Sequence, residues 1–303
     1  MSTVGVVVNA SAGTGAGIAI GRRVHELLAA AGHTVQDLSA PTLAQATDRA
    51  RAAATAGLAG LIVVGGDGAV HLGANIAAGT PLPLGIVQAG TGNDIAQALR
   101  VPKDVDRAMA DIVAALATRP RSIDAVRVGR PDAAAYEWYV GVLSCGFDAA
   151  VNATANTYRF PRGHAKYLRA VAAELPRFRP YGYRVAMDDG EWLSSGSLVA
   201  VANIAWFGGG LKIAPAADPE DGVLEVVVAG PFSKSGVVGI FPKLYGGTHV
   251  SDPRVQVFRS RTVTIEPAPD LGPHPPVGYA DGERIRPLPL RCEVVPGALH
   301  VLH

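Results

Sequence analysis

The sequence predicts two domains: an N-terminal α/β domain, with a parallel sheet and flanking helices, and a C-terminal β-sandwich-like domain. Three observations carry this. β-branched runs alternate with helix-like stretches up to RSIDAVRVG, residues 121–129. Strand patterns dominate after it. At 303 residues, 49% apolar and 17% charged, the chain is long for one core and comfortable for two.

In order, VGVVVNA (4–10) is a β-branched run that ends in small and polar residues, hence a strand. Residues 18–31 are helix-like, with His25 and Glu26 on a separate face. HTVQDLS (33–39) is a second strand, and alanine-rich 43–56 a helix. LIVVGG (61–66) is a third strand, followed by a helix near 69–78. PLGIVQAG (83–90) is a fourth, followed by helices at about 94–100 and 104–117. Beyond residue 129 the strands are EWYVGVLSCG, YRVAMDD, SLVAVAN, GVLEVVVAG, RVQVFRS and RTVTIEP, separated by turn signals such as DDGEW and DPEDG. One helical insert falls at about 163–178. PAPDLGPHPPVGYADG (267–282) is a loop, and LRCEVVPGALHVL is a strand-like tail able to close either domain.

Composition removes several classes. A net charge of +1 argues against nucleic acid as a partner. Two cysteines, Cys145 and Cys292, without CxxC spacing, argue against a disulfide framework and suit a reducing, cytoplasmic setting. The start, MSTVGVVVNASAG, lacks the basic region of a signal peptide. The charge-free stretches Gly68–Asn93 and Ser194–Leu211 are broken by glycine and polar groups, so neither reads as a membrane span.

Three glycine-rich loops, NASAGTGAG (9–17), VVGGDGAVH and QAGTGNDIAQAL (88–99), each follow a strand and precede a helix. In an open parallel sheet, ligands bind beyond the carboxyl ends of strands. Glycine lets backbone approach a phosphate, and helix N-termini offer N–H groups. One such loop is weak; three on one edge favour a nucleotide. A capping role would by itself explain Asp67, and likewise Thr91, Asn93 and Asp94. Acids beside a phosphate site make further sense if they hold Mg²⁺ or take a proton from an attacking hydroxyl. There is no GxxxxGK[ST] and no GxGxxG with a spaced acid. In the second half, GYADGERI places Asp281 and Glu283 around a glycine, as a hairpin turn would. APAADPEDGVLEV holds Asp218, Glu220, Asp221 and Glu225, suited to a hard cation or a solvated turn.

Together VVVNASAG, GGDGAVH, GTGNDIAQAL followed by VP, RSIDAVRV, GHAKYLRAVAAEL, NIAWFGGGLKIAPAADPEDGVLEV, YADGE and EVVPGAL resemble the diacylglycerol kinase catalytic-domain family of lipid kinases, over nearly the whole chain. The resemblance implies a nucleotide-binding domain like that of NAD kinase and phosphofructokinase at 1–122, with a returning tail at 290–303. It implies a β-rich lipid-kinase domain at 123–289. It implies ATP at Asn9, Ala10, Ser11, Ala12, Gly13, Ser39, Gly65, Gly66, Asp67, Gly68, Ala69, Val70, His71 and Thr91. Asp67 and Asp94 would face the phosphates and a catalytic Mg²⁺, and Glu283 matches the catalytic acid. Asp67 or Glu283 would accept the hydroxyl proton. Asp221, with backbone oxygens of Asp218 and Val223, matches a structural Mg²⁺ site, and Asp124 sits where that metal couples to the active site.

Three positions depart from the family pattern: Ala69 for threonine, Ala10 for proline, and His71-Leu72 for His-Glu. The activity implied is ATP-dependent phosphorylation of a lipid hydroxyl, with diacylglycerol first. The competing readings are an NAD or sugar-phosphate kinase, and an inactive nucleotide- or lipid-sensing module. A membrane-surface substrate and a homodimer are the expected partners. Arg159, Arg162, Lys166, Arg169, Arg177, Arg179 and Arg184, against Glu174 alone, form a segment suited to anionic headgroups or to a solvated face. His71, His164 and His249 are isolated and receive no ligand role.

Overall fold

A computed structural model describes residues 2–9, 12–90, 92–158, 160 and 164–303. The chain divides into two compact units, Met1–Ala125 with Pro296–His303, and Val126–Val295. The sequence expectation set these divisions at 122/123 and 289/290.

The first unit begins with β1 (Thr3–Val8), α1 (Ala16–Ala30), β2 (Thr34–Asp37), α2 (Leu43–Gly57), β3 (Gly60–Gly65) and α3 (Asp67–Ala77). It continues with β4 (Leu84–Gln88), α4 (Asp94–Ala98), α5 (Val105–Ala117) and the first part of β5 (Arg121–Gly129). Its strands run β2-β1-β3-β4, all parallel, because each crossover is a helix. β3 and β4 are buried throughout, as strands covered on both faces must be. Ile62, Val64 and Val87 join Val4, Val6, Leu28, Met109 and Ile112 in one core. α1 lies close on the sheet because Gly21 faces Val8; a Cβ there would come within 2.7 Å of Val8 Cγ2. Thr42 and Asp104 cap α2 and α5 through Gln45 N–H and Arg107 N–H.

The second unit holds the rest of β5, then β6 (Tyr136–Tyr139), β7 (Val142–Gly146), α6 (Phe147–Thr157) and α7 (His164–Glu174). β8 (Tyr181–Met187), β9 (Gly190–Gly196), β10 (Leu198–Ala202), β11 (Trp206–Phe207), β12 (Leu211–Lys212) and β13 (Leu224–Ala229) follow. α8 (Lys234–Gly246), β14 (Val255–Ser260), β15 (Thr262–Pro267), β16 (Tyr279–Ala280), β17 (Glu283–Arg284) and β18 (Leu290–Leu302) complete the chain. One antiparallel sheet runs β14-β13-β10-β7-β16-β17; β18, β15, β8 and β9 form a second antiparallel series. Between these two sheets lies a core of Val126, Tyr139, Leu143, Tyr183, Val199, Val226, Ile265 and Leu290, which is the expected sandwich. The tail serves both units. Leu290–Glu293 pair antiparallel with β15, and Val301 and Leu302 pair parallel with β4.

Several elements depart from the sequence reading: Gly190–Gly196 is β9 where DDGEW reads as a turn, and Tyr279–Ala280 within the expected loop is β16. EWYVGVLSCG splits into β6 and β7, α6 was not anticipated, and neither was α8, whose three glycines and Pro242 disguise it. The helical insert ends as α7 at Glu174 and continues as a 3-10 turn, Leu175–Arg177.

Candidate functional site

Because β1, β3 and β4 are parallel neighbours, their following loops emerge on one edge of the first unit. The order reverses between β1 and β3: β2 lies on one side of β1, and β3 and β4 on the other. That reversal is where open α/β sheets leave a crevice for ligands. The loops bearing Asn9 and Gly66 flank it.

Asp67 does not cap its own helix; Gly66 is the N-cap of α3 and offers no side chain. Its carboxylate instead accepts the N–H groups of Asp94 at 3.2 Å and Ile95 at 3.0 Å, capping α4. Two loops about 27 residues apart are thereby tied by one acid. They also touch backbone to backbone: a Cβ on Gly90 would lie 2.5 Å from Gly66 Cα and 2.8 Å from Asn93 Oδ1. Asn93 holds the turn, in the left-handed region at φ 55°, accepting from Gly90 N–H at 3.1 Å and donating to Gly90 O at 2.8 Å. The α4 N–H groups expected to face a phosphate are thus engaged by Asp67. Asp94 itself is buried.

The other expected nucleotide residues divide. Asn9 is exposed at the end of β1, and its carbonyl accepts Ala12 N–H at 3.0 Å. Ala12 is buried, and Gly13 lies in the short turn before α1. Ser39 Oγ accepts Val8 N–H at 2.9 Å, fixing the end of β1. Gly65 ends β3, and Gly66 and Gly68 are partly exposed at the turn. Ala69, Val70 and His71 are buried in α3. Ala10, Ser11 and Thr91 lie outside the described residues.

In the second unit, Glu283 opens β17 and is partly exposed, directly after the two-residue turn Asp281-Gly282. Both turn residues have positive φ, 54° and 83°, as this hairpin geometry requires. Asp281 is the latch: its buried carboxylate accepts Val140 N–H at 3.1 Å and Gly141 N–H at 2.8 Å, the two donors released where β6 breaks from β7. Sequence reading saw Asp281 only as part of the turn. It also missed Asp148 and Asn152, one turn apart on α6. Asn152 Nδ2 makes a long 3.4 Å bond to Gly282 O, beside Glu283. Oδ1 of Asp148 and Oδ1 of Asn152 are buried without a partner. Burial pushes the Asp148 carboxyl up to about 6, against a smaller lowering by the Ser144 hydroxyl. The signal was an acid and an amide at i and i+4 immediately after a buried strand.

Asp218, Asp221 and Val223, the residues expected at a structural metal, lie in the turn before β13. Asp221 Oδ1 accepts Val223 N–H at 3.0 Å, and Oδ2 is bonded to the Arg259 guanidinium. Arg259 Nε also lies 3.3 Å from Oε1 of buried Glu225, which faces it directly across the β13–β14 pair. Asp218 Oδ1 is occupied by Glu220 N–H at 3.1 Å. A guanidinium therefore supplies positive charge beside Asp221 and Glu225. Asp124 likewise serves the backbone, its buried carboxylate accepting Gly297 N–H at 2.8 Å, where Gly297 needs φ 64°. No group of three or more His, Cys, Asp or Glu able to hold a metal occurs among the described residues. Asp67 and Asp94, the residues expected beside a catalytic Mg²⁺, are brought together through the Asp94 backbone N–H.

Residues 3–128 match the diacylglycerol kinase catalytic domain, and residues 141–303 the YegS C-terminal NAD kinase beta sandwich-like domain. A protein of Mycobacterium tuberculosis named "Diacylglycerol kinase" is 36% identical over 280 residues, 92% of this chain and 84% of that one. A "Probable lipid kinase YegS-like" of Stenotrophomonas maltophilia is 28% identical over 249 residues, 80% of this chain and 77% of that one. A solved structure from Bacillus anthracis, at 20% identity, shares the fold with a TM-score of 0.77 over 100% of this chain and 97% of that one. The family match and the relatives named as diacylglycerol and lipid kinases make the chain a phosphotransferase with an alcohol group as acceptor. The chain belongs to the diacylglycerol kinase family.

Proposed function

We propose that the chain transfers the γ-phosphoryl group of ATP to the free hydroxyl of diacylglycerol, giving phosphatidic acid. The observation that carries this is the Asp67 carboxylate fastened to the first N–H groups of α4, which fixes an acid among glycine loops at the sheet's switch point. The carboxylate ties the two loops, but in a site that only bound phosphate its charge would repel the ligand. A phosphoryl-transfer site does, because it needs a cation ligand and a proton acceptor.

Gly65, Gly66 and Gly68 around the β3–α3 turn would let the main chain approach the phosphates without an intervening Cβ. Asp67 and Asp94 would hold Mg²⁺, which when bound neutralises the charge between the β- and γ-phosphates. Glu283, held by the turn that Asp281 latches, and Asp67 are the two candidate bases for the acceptor hydroxyl. Positioning and charge stabilisation supply most of the rate.

The acceptor is taken from a membrane surface. No helix among the described residues is long and apolar enough to cross a membrane. Of the basic segment, Arg169, Arg177 and Arg179 are exposed, which suits anionic headgroups. Arg184 is committed to Glu191 at 2.9 Å and Glu266 at 3.7 Å and drops out, and Arg159 and Arg162 lie outside the described residues.

The test is transfer of label from γ-labelled ATP with Mg²⁺, run in parallel on diacylglycerol in mixed micelles, a sphingoid base, NAD and a sugar phosphate. Labelled phosphatidic acid is expected. Label on NAD or the sugar phosphate alone overturns the reading. Asp67→Asn and Glu283→Gln are expected to lower turnover at least about 100-fold while leaving circular dichroism unchanged. Near-normal turnover in either variant removes that residue from the chemistry.

A further inference from the structure

We propose that α8 is a bilayer-docking helix that lays its outer face into an anionic membrane surface. The proposal rests on the lipid-kinase reading above for the identity of the surface, and on the helix itself for everything else.

α8, KSGVVGIFPKLYG, has no buried residue. Val237, Ile240, Phe241 and Leu244 are half-buried against the unit. The opposite face is solvent-exposed and carries Val238, 54% exposed, Tyr245, 49% exposed, and Pro242, with Ser235, Gly239 and Gly246 beside them. Within this unit these exposed apolar side chains have no core to enter, and an apolar stripe edged by lysines suits the boundary of a bilayer. The helix is properly built rather than frayed. Ser233 caps its start by accepting Gly236 N–H, and Gly247, at φ 69°, closes its end with N–H bonds to Leu244 O and Lys243 O.

The charges single out the occupant. At about 100° per residue, Lys234 and Lys243 fall on the two edges of the exposed arc, with Tyr245, Val238 and Pro242 between them. No acid occurs from Lys234 to Ser251; Asp252, which follows, lies within electrostatic reach of Lys243 and is paired with Arg254 at 2.8 Å. Lys243, at one edge of the apolar stripe, can reach sideways to headgroup phosphates while the stripe enters the acyl boundary, and tyrosine favours that depth; Lys234, tied to the Pro176 carbonyl, adds its charge at the other edge. A second copy fits less well, because a two-fold contact brings the same lysines together with no acid in the segment to pair them. Lys234 also donates to the Pro176 carbonyl, so α8 starts beside the turn that carries exposed Arg177.

The test compares the full-length wild type with Val238→Asp in sedimentation with phosphatidylcholine vesicles, with and without phosphatidylglycerol. Wild type is expected to bind the anionic vesicles, and Val238→Asp about tenfold more weakly. Val238→Trp is expected to give a blue-shifted emission that brominated lipid quenches. Equal vesicle binding by wild type and Val238→Asp, or a Val238→Trp emission unmoved by vesicles, overturns the proposal. So does a dimer that Val238→Asp splits without loss of vesicle binding, which makes the face a contact between copies. Activity on short-chain diacylglycerol in neutral detergent micelles separates the two readings. It should match in wild type and Val238→Asp. If wild type has none while Val238→Trp still inserts, the proposed substrate fails and the docking helix stands.

Discussion

At the scale of single residues, the acids do different work from one another. Asp67, Asp124 and Asp281 all give their carboxylates to backbone N–H groups, and so fix loops whose main chain would otherwise lie unpaired. Asp148 is the exception, with one buried oxygen unused and its carboxyl raised to about 6 by burial. Its ordinary value in an unfolded chain is about 3.9. The folded state therefore holds the proton more tightly, so this group costs nothing below about pH 4, and its penalty grows as pH rises to about 6 and then stays constant. Asp148→Asn should be the more stable protein at pH 7, by at most about 3 kcal/mol, and the gain should vanish near pH 4. Denaturant midpoints across that range read it directly. A gain that is the same at pH 4 and pH 7 would remove Asp148's ionisation as the cause.

At the scale of elements, the strand–loop–helix units of the first unit were legible because period and punctuation agreed: β-branched runs, then glycines, then alanine-rich helices. Asp67 was legible as an acid out of place, but its partner was not. The bond joins residues 27 apart, and nothing local distinguishes a carboxylate that caps its own helix from one that caps the next. The same holds for Arg259. A cation ligand set and an acidic turn that meets an arginine across a strand pair look alike in sequence; only the β13–β14 register separates them. α8 was hidden by its composition, since glycine and proline argue against a helix that surrounding structure and two good caps can still impose. The contact of the GGDG and GTGND loops gives a prediction at this scale. Gly90→Ala must push Gly66 away, at a cost of about 1–3 kcal/mol, and should depress turnover far more than thermal stability. A variant that loses stability but keeps turnover shows that the loop contact serves the fold alone.

At the scale of the whole molecule, the family assignment was legible because so many motifs keep their order over nearly the entire chain, and one motif alone was ambiguous. What could not be read was the ion pair at the acidic turn: Arg259 contacts both Asp221 and Glu225 and already supplies positive charge to that cluster. The melting temperature should be the same in chelator and in millimolar Mg²⁺ when nucleotide is left out. A rise of several degrees on adding Mg²⁺ would return the metal to this turn.

The tail strand has a consequence for how the protein is made. β18 begins in one unit and finishes in the other: Leu290–Glu293 complete a pairing with β15, and Val301 and Leu302 complete one with β4. Nascent chains usually settle their early domains while later residues are still being added. Here the α/β unit, though almost all of it is translated first, lacks an inner neighbour for β4 until residues 296–303 leave the ribosome. Both units therefore wait on the same closing segment, and a ribosome stalled before it holds two unfinished sheets rather than one finished domain.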